Sequence, residues 1–241
     1  MSDPVEVIWH DLECGRYTAD LPLWRRLAER LPGPVIDVGA GTGRTTLDLA
    51  AAGHEVLALD LCDALLEALR DRGEGLAVRT IVGDARAFGL GEQFGLCIVP
   101  MQTIQLLGGA EGRAGFWRCA VPHLAPGGVV AIAIADSLEC FETVEGGPGP
   151  LPDVIEVDNV VYSSRPTGVR VDATGFELER RRELVTPDGR LEATRNLIHL
   201  DAVTADTLED EGREAGLRPI GRIAIEATDD YVGATAVMLR A

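Results

Sequence analysis

The stretch Val35–Ala50, VIDVGAGTGRTTLDLA, constrains this chain more than any other. Val35, Ile36 and Val38 make an apolar run of the length of a buried strand. The run breaks at three alternating glycines, Gly39, Gly41 and Gly43, and Leu47, Ala50 and Ala51 then recur at helical spacing up to Gly53. The pattern predicts strand, tight turn and helix. Glycine permits the positive φ of such a turn and lets a ligand lie against the backbone with no Cβ between. The N–H groups at the helix start are expected to face that ligand.

Two phosphate-binding turns match poorly. A P-loop places Lys after its final glycine; here that residue is Arg44, and every basic residue of the chain is Arg. A dinucleotide turn, G-x-G-x-x-G, counted from Gly39 would need glycine at position 44. Asp37 stands two residues before Gly39. A carboxylate there would face a pyrophosphate badly and suits a ligand that carries an ammonium group.

With 241 residues, 46% of them hydrophobic, the chain can form one α/β domain with an inserted lid. Its net charge of −17 would repel the phosphates of nucleic acid. The five cysteines are odd in number and show no C-x-x-C, which reads as reduced thiols of a cytoplasmic protein and neither a disulfide frame nor a metal site. The opening MSDPVEVIWHDLE lacks the pattern of a signal peptide. No run approaches the roughly 20 apolar residues that span a bilayer, so no membrane partner is expected.

Along the chain, residues 1–19 have weak periodicity but carry Trp9, His10, Asp11, Glu13 and Tyr17. Asp20 is expected to cap a helix whose face is Leu23, Leu27 and Leu31. Glu55–Asp60 reads as a second strand ending in an acid, which can accept hydrogen bonds from the ribose hydroxyls of an adenosine. His54, at the turn before it, reads as structural. Val78–Val82 is a third strand, followed by Gly83-Asp84-Ala85, and Phe94–Val99 a fourth, followed by Pro100-Met101-Gln102-Thr103. Gln102 and Gln105 either position a substrate or satisfy nearby backbone. Val129–Ala135, after Pro126-Gly127-Gly128, is the fifth strand. The Gly/Pro-rich Glu145–Pro152 marks a boundary. Beyond it, 154–164, 168–174, 176–186 and 190–200 alternate like strands, with a hairpin turn at Pro187-Asp188-Gly189-Arg190. Pairing Thr186 with Leu191 sets Leu184 opposite Ala193, Arg182 opposite Arg195 and Leu178 opposite His199. Arg182 and Arg195, on one face among apolar residues, could then hold an anionic substrate; the other reading pairs them with Glu177, Glu179, Glu183 or a partner's acids. A helix over Thr204–Gly216 and strands over Arg218–Ile225 and Ala234–Leu239 complete the chain.

Val35–Gly43 resembles motif I of the class I S-adenosylmethionine (SAM)-dependent methyltransferases, [VIL]-[DE]-x-G-x-G-x-G. The similarity continues through GHEVLALDLC, with Cys62 where that family usually has Ser, through Asp84-Ala85, and through LAPGG. It covers 20–136 and 202–241. The resemblance implies an α/β fold: a Rossmann-like, doubly wound, seven-stranded sheet. An antiparallel β lid, 137–201, would be inserted after strand five, with 1–19 as an N-terminal lid segment. It implies SAM as cofactor and S-adenosylhomocysteine as product. Asp37, Gly39, Ala40, Gly41 and Gly43 would hold the methionine end, Asp60 and Leu61 the ribose, Asp84 and Ala85 the adenine, with Met101 over the cofactor. The base-amine methylating motif [ND]-P-P-[FY] is missing after the fourth strand. Methyl transfer to N, O or C of a small molecule, of the secondary-metabolite kind, is the expected reaction. Where a proton must leave, His199, His10 and Tyr17, then Glu13 and Asp136, are the acceptors within the sequence; Gln102, Gln105, Arg182 and Arg195 are the substrate-binding candidates. Exposed lid edges leave room for a homodimer. Two other readings stand: a SAM-binding protein that no longer methylates, using the cofactor structurally or for a cyclisation, and an NAD-dependent oxidoreductase.

Overall fold

A computed structural model of the chain describes residues 5–135, 138–143, 149–229 and 231–241. Asp136 and residues 145–148 of the Gly/Pro-rich stretch lie outside the described residues. The chain divides into two compact units: the described residues of 1–16 and 137–202, and those of 17–136 and 203–241.

The larger unit is built on one sheet. Its strands are β1 (Val35–Val38), β2 (Val56–Asp60), β3 (Val78–Val82), β4 (Phe94–Val99), β5 (Leu124–Ile134), β11 (Arg218–Ile225) and β12 (Ala234–Arg240), in the order β3-β2-β1-β4-β5-β12-β11. The first five run parallel, and β12 lies antiparallel to both β5 and β11. This is the doubly wound seven-stranded arrangement expected. Every residue of β1 and β4 is buried, as the unbroken apolar runs require of strands covered on both faces. Trp24 of α2 (Leu21–Arg30) and Leu49 of α3 (Arg44–Ala51) pack with Val35, Leu96 and Ile98 on one face. Phe116 and Trp117 of α5 (Gly109–Ala120) and Leu208 of α6 (Ala205–Glu214) pack with Ile36, Val38 and Cys97 on the other. The second β-α unit adds α4 (Asp63–Arg72), whose Leu66 and Leu69 cover Ala58. β1 pairs with β2 on one side and β4 on the other. The chain therefore winds outward in both directions from β1, and open α/β sheets bind ligands at that switch point.

Asp20 does not cap α2: its side chain makes no capping hydrogen bond. The fully buried carboxylate instead accepts from Arg44 Nη1 at 2.6 Å and Nη2 at 2.8 Å and from Trp24 Nε1 at 2.8 Å. The residue that spoiled both phosphate-turn patterns thus ties the start of α3 to the start of α2.

In the smaller unit β6 (Phe141–Glu142), β7 (Asp153–Val157), β8 (Val160–Val171), β9 (Gly175–Val185) and β10 (Leu191–Asp201) form an antiparallel sheet, ordered β10-β9-β8-β6 with β7 also on β8. The stretch 154–164, expected as one strand, is a hairpin. Asp158 and Asn159 both take positive φ, 53° and 61°, as a two-residue hairpin turn of this hand requires. β8 runs on through Pro166 by way of a register shift between Pro166 and Gly168, where proline has no N–H for the ladder.

The expected β9–β10 register is wrong by one residue. Thr186 N donates to the Arg190 carbonyl at 3.0 Å, closing a three-residue turn with Gly189 at φ 83°. Leu191 consequently pairs with Val185, Thr194 with Arg182, Arg195 with Arg181, Ile198 with Leu178 and His199 with Glu177. Because side chains alternate along a strand, a slip of one residue moves the partner strand's side chains to the other face. Arg182 and Arg195 are therefore on opposite faces and form no joint anion clamp.

Residues 5–14, whose periodicity was too weak to announce an element, form a helix, α1 (Val5–Cys14), with Val7, Ile8 and Leu12 buried. It belongs to the smaller unit. Ile8 and Leu12 pack on Tyr162, and Trp9 meets the Tyr162 ring edge-on at 5.3 Å. Glu13 accepts from Arg182 Nε and Nη2, both at 2.7 Å, and from Ser164 Oγ at 2.7 Å.

Two predictions follow from this packing. Asp20→Ala leaves the buried Arg44 charge unpaired and is expected to cost about 3 to 5 kcal/mol in urea unfolding; adding Arg44→Ala should recover part of that loss. For Glu13, burial pushes the carboxyl up, but Arg182 and Ser164 outweigh it and hold the group below its ordinary value of 4.5. A lowered folded-state pKa means that the stabilisation is present above that ordinary value and is lost as pH falls through the folded one. In acid titrations Glu13→Gln should therefore narrow its stability deficit to the wild type as pH drops below about 4.

Candidate cofactor site at the switch point

Asp37, Asp60 and Asp84 stand at or near the C-terminal ends of β1, β2 and β3, on neighbouring strands of the larger unit. Asp37 is buried, 1% exposed. Its Oδ2 accepts from Thr46 Oγ1 at 2.7 Å, while its buried Oδ1 has no hydrogen-bond partner. Burial pushes the carboxyl up to about 7 from an ordinary 3.8; Thr46 and Arg44 oppose this, and Asp60 and Asp20 add to it. A buried acceptor left without a donor is costly. The ammonium of an amino-acid end would supply a donor and a compensating charge together.

Gly39, Gly41 and Gly43 have φ of 73°, 57° and 92°, and their own N–H groups are engaged within the protein. Gly39 N and Ala40 N both donate to the Leu59 carbonyl at 2.8 and 3.1 Å, Gly43 N donates to the Ala40 carbonyl at 3.0 Å, and Gly41 N donates to Asp60 Oδ2 at 2.8 Å. The glycines supply backbone conformation and closeness: a Cβ on Gly39 would come within 2.7 Å of Thr103 Oγ1, and one on Gly43 would overlap the Leu69 side chain.

Asp60 also accepts from Cys62 N on Oδ1 at 2.9 Å, so each of its oxygens holds one backbone donor and keeps further lone-pair capacity. Cys62, at the cap position of α4, makes no side-chain capping bond, as its chemistry suggested. Leu61 is 70% exposed at the end of β2. Asp84 accepts from Arg86 N at 2.8 Å and from the Arg86 guanidinium, Nη2 lying 2.7 Å from Oδ2. Arg86 keeps the Asp84 carboxyl below its ordinary range. Ala85 is partly buried against the core. Met101, after β4, has φ of 53°, a conformation uncommon outside glycine that recurs at ligand sites.

Of the glutamines, Gln105 is buried and engaged with the fifth strand: Nε2 donates to the Ala135 carbonyl at 3.1 Å and Ala135 N donates to Oε1 at 2.9 Å. It anchors that strand end. Gln102 is half-buried, and its amide has no partner among the described residues. Tyr17 lies in this unit, its ring 4.9 Å from that of Tyr231 and 5.1 Å from the Arg44 guanidinium. Burial, with Asp20, pushes its hydroxyl up to about 12. Tyr17 is therefore held protonated at neutral pH and can donate a hydrogen bond.

The remaining candidates belong to the smaller unit. His10 lies on α1. His199 lies on β10, its Nε2 3.7 Å from Asp201 and 3.5 Å from Thr174 Oγ1. Glu13 is clamped by Arg182, and Arg195 is bound by Glu179 at 2.5 and 3.0 Å. Asp20 and Arg44 are the residues that sequence reasoning missed here; a buried ion pair between two helix starts leaves no spacing pattern to find.

The raised Asp37 carboxyl gives a pH signature. With the folded value above the unfolded one, this group's stability contribution is full below 3.8 and is lost as pH rises through about 7. Asp37→Asn is therefore expected to match or exceed the wild type in thermal stability at about pH 8. The same variant should weaken a cationic amino-acid ligand about tenfold or more. Wild-type affinity should rise from about pH 5 to about pH 7, with proton release visible in buffers of different ionisation heat.

Comparisons with known proteins agree with this geometry. Residues 35–128 match the family model described as a methyltransferase domain. Among curated proteins, the cypemycin N-terminal methyltransferase of a Streptomyces species is 30% identical over 122 residues, half of each chain. The chain thus spans about half the length of that relative. Among solved structures, the sugar N-methyltransferase KedS8 of Streptoalloteichus matches with a TM-score of 0.71 at 20% identity, over 100% of this chain and 94% of that one. The SAM-bound amino pentose methyltransferase CalS10 of Micromonospora echinaspora matches with a TM-score of 0.69 at 21% identity, over 97% of each. Residues 35–128 are thus similar to a methyltransferase domain, and the strand order around them is the Rossmann-like one that these solved structures share.

Proposed function

We propose that the protein transfers the methyl group of SAM to an amino nitrogen of a small molecule. The observation that carries the cofactor is the buried Asp37 Oδ1 without a partner, beside a glycine turn on β1. The choice of nitrogen rests on three of the relatives, described as a cypemycin N-terminal methyltransferase, an amino pentose methyltransferase and a sugar N-methyltransferase; another, 41% identical over 59 residues, is described as a magnesium-protoporphyrin O-methyltransferase.

When bound, SAM supplies an activated methyl on a sulfonium. Asp37 would receive the ammonium of its methionine end, Asp60 the ribose hydroxyls through its free lone pairs, and Asp84 and Ala85 the adenine edge. Gly39, Ala40, Gly41, Gly43, Leu61 and Met101 would form the surface that it lies on. Gln102 has an unengaged amide for the acceptor. With the methyl already activated, alignment and exclusion of water can supply much of the acceleration. An amine must arrive neutral or lose a proton, and His199 and His10 are the proton acceptors proposed. Arg44, held by Asp20, leaves the NAD reading without its third glycine.

The reaction chemistry argues for a soluble small-molecule acceptor. The acidic charge disfavours nucleic acid, and no described helix is long and apolar enough to cross a membrane. A homodimer and a cytoplasmic setting remain part of this proposal.

Calorimetric titration of SAM is expected to show micromolar binding that Asp60→Ala weakens about tenfold or more, with NAD giving none. S-adenosylhomocysteine should form with amine acceptors and not with their hydroxyl counterparts. Binding without product from any acceptor would favour the non-methylating reading instead. His199→Ala and His10→Ala are each expected to lower kcat; a loss below about tenfold for both would leave alignment as the explanation.

A further inference from the structure

The observed lid register brings together three arginines that the expected register kept apart. Arg165 of β8 pairs with Arg181 of β9, and Arg181 pairs with Arg195 of β10. Directly opposed residues share a face, with Cβ atoms roughly 5 Å apart. Three guanidinium side chains therefore stand in a row across three adjacent strands of the smaller unit. Like charges in that arrangement are unfavourable.

We propose that this row, Arg165–Arg181–Arg195, is a binding site for a phosphate-type oxyanion. Three observations point to a ligand. The Nε atoms of Arg165 and Arg181 are both buried and without a hydrogen-bond partner. Arg165 has no ion pair among the described residues, although the chain holds 39 acids against 22 arginines. A residue left unpaired in so acidic a chain, next to two others of its own sign, is not short of available carboxylates. Finally, the acids nearby only partly neutralise the row. Glu183 bridges Arg181 at 2.7 Å, and Glu179 is shared between Arg195 at 2.5 Å and Arg170 at 3.2 Å.

The chemistry follows from the donors. Each guanidinium offers five N–H groups in a planar fork. Two adjacent forks at cross-strand spacing can grip different oxygens of one tetrahedral anion, and charge-assisted bonds of that kind are the strong ones. Ser163, two residues before Arg165 on the same strand face, adds a hydroxyl at the edge of the row. A single carboxylate reaches one fork; a phosphate, with more oxygens and more charge, can span the exposed ends of two neighbouring guanidiniums. The site is independent of the cofactor reading, because every residue of it lies in the lid unit and its occupancy is read by binding alone.

The test is calorimetric titration of the full chain with inorganic phosphate and pyrophosphate at low ionic strength, with acetate as the carboxylate arm. Saturable binding of phosphate or pyrophosphate is expected. Arg165→Gln should weaken it about tenfold or more, and Arg181→Gln likewise. Arg190→Gln, at the exposed hairpin tip where Arg190 pairs with Glu192, should leave it unchanged. Thermal unfolding of Arg165→Gln should match or exceed the wild type, because the variant relieves like-charge contact. No saturable binding, equal binding by Arg165→Gln, or acetate binding as tight as phosphate would each overturn the assignment. So would a destabilised Arg165→Gln, which would make Arg165 a packing residue.

Discussion

The turn after β1 is held shut by β2. The Leu59 carbonyl takes two successive N–H groups, from Gly39 and Ala40, and the Asp60 carboxylate takes a third, from Gly41. Positive φ at Gly39, Gly41 and Gly43 makes that geometry accessible, since residues with a Cβ seldom adopt it. The closure fixes where α3 begins, and with it Thr46, which binds one oxygen of Asp37 and leaves the other alone. Asp60 thus has two duties: it fastens the turn and presents its remaining lone pairs at the strand end. The candidate cofactor site depends on this small set of hydrogen bonds more than on any exposed feature.

Electrostatics divide in the same way between structure and site. An acidic chain with arginine and no lysine pairs several of its guanidiniums bidentately, as in Asp20–Arg44, Glu13–Arg182 and Glu211–Arg113. Each of these joins elements far apart in sequence and is at least partly buried, so each positions an element more than it adds stability. The groups left over carry the functional interest. They are the Asp37 oxygen at the switch point, which suits a cation, and Arg165 in the lid row, which has no ion pair among the described residues.

Much of the core was legible because its signals are local. Buried parallel strands read as apolar runs, and β1 and β4 begin and end where those runs do; β3 and β11 also keep their expected bounds. Glycine spacing announced the turn, and acids at three strand ends announced the site. The lid was less legible. Its sheet alternates, but a hairpin register depends on whether the turn closes with three residues or four, and Pro187-Asp188-Gly189-Arg190 admits both. Asp158-Asn159 was passed over inside an apparently continuous strand. Asp20 carried a capping pattern, yet Arg44 and Trp24 offered its carboxylate stronger partners than a backbone N–H.

The sequence by itself determined the strands of the core and the identity of the acids at their ends, because hydrophobic period, glycine placement and strand ends are written residue by residue; the seven-stranded arrangement was implied by the family resemblance. Tertiary structure alone decided which groups are already engaged. Gln105 closes on Ala135, the Gly39 and Gly41 N–H groups close on β2, burial holds the Tyr17 hydroxyl protonated at neutral pH, and Arg165 and Arg195 both become neighbours of Arg181. Partner choice of that kind depends on residues brought together across long separations, and a side chain's chemistry follows from the partner it finds or lacks.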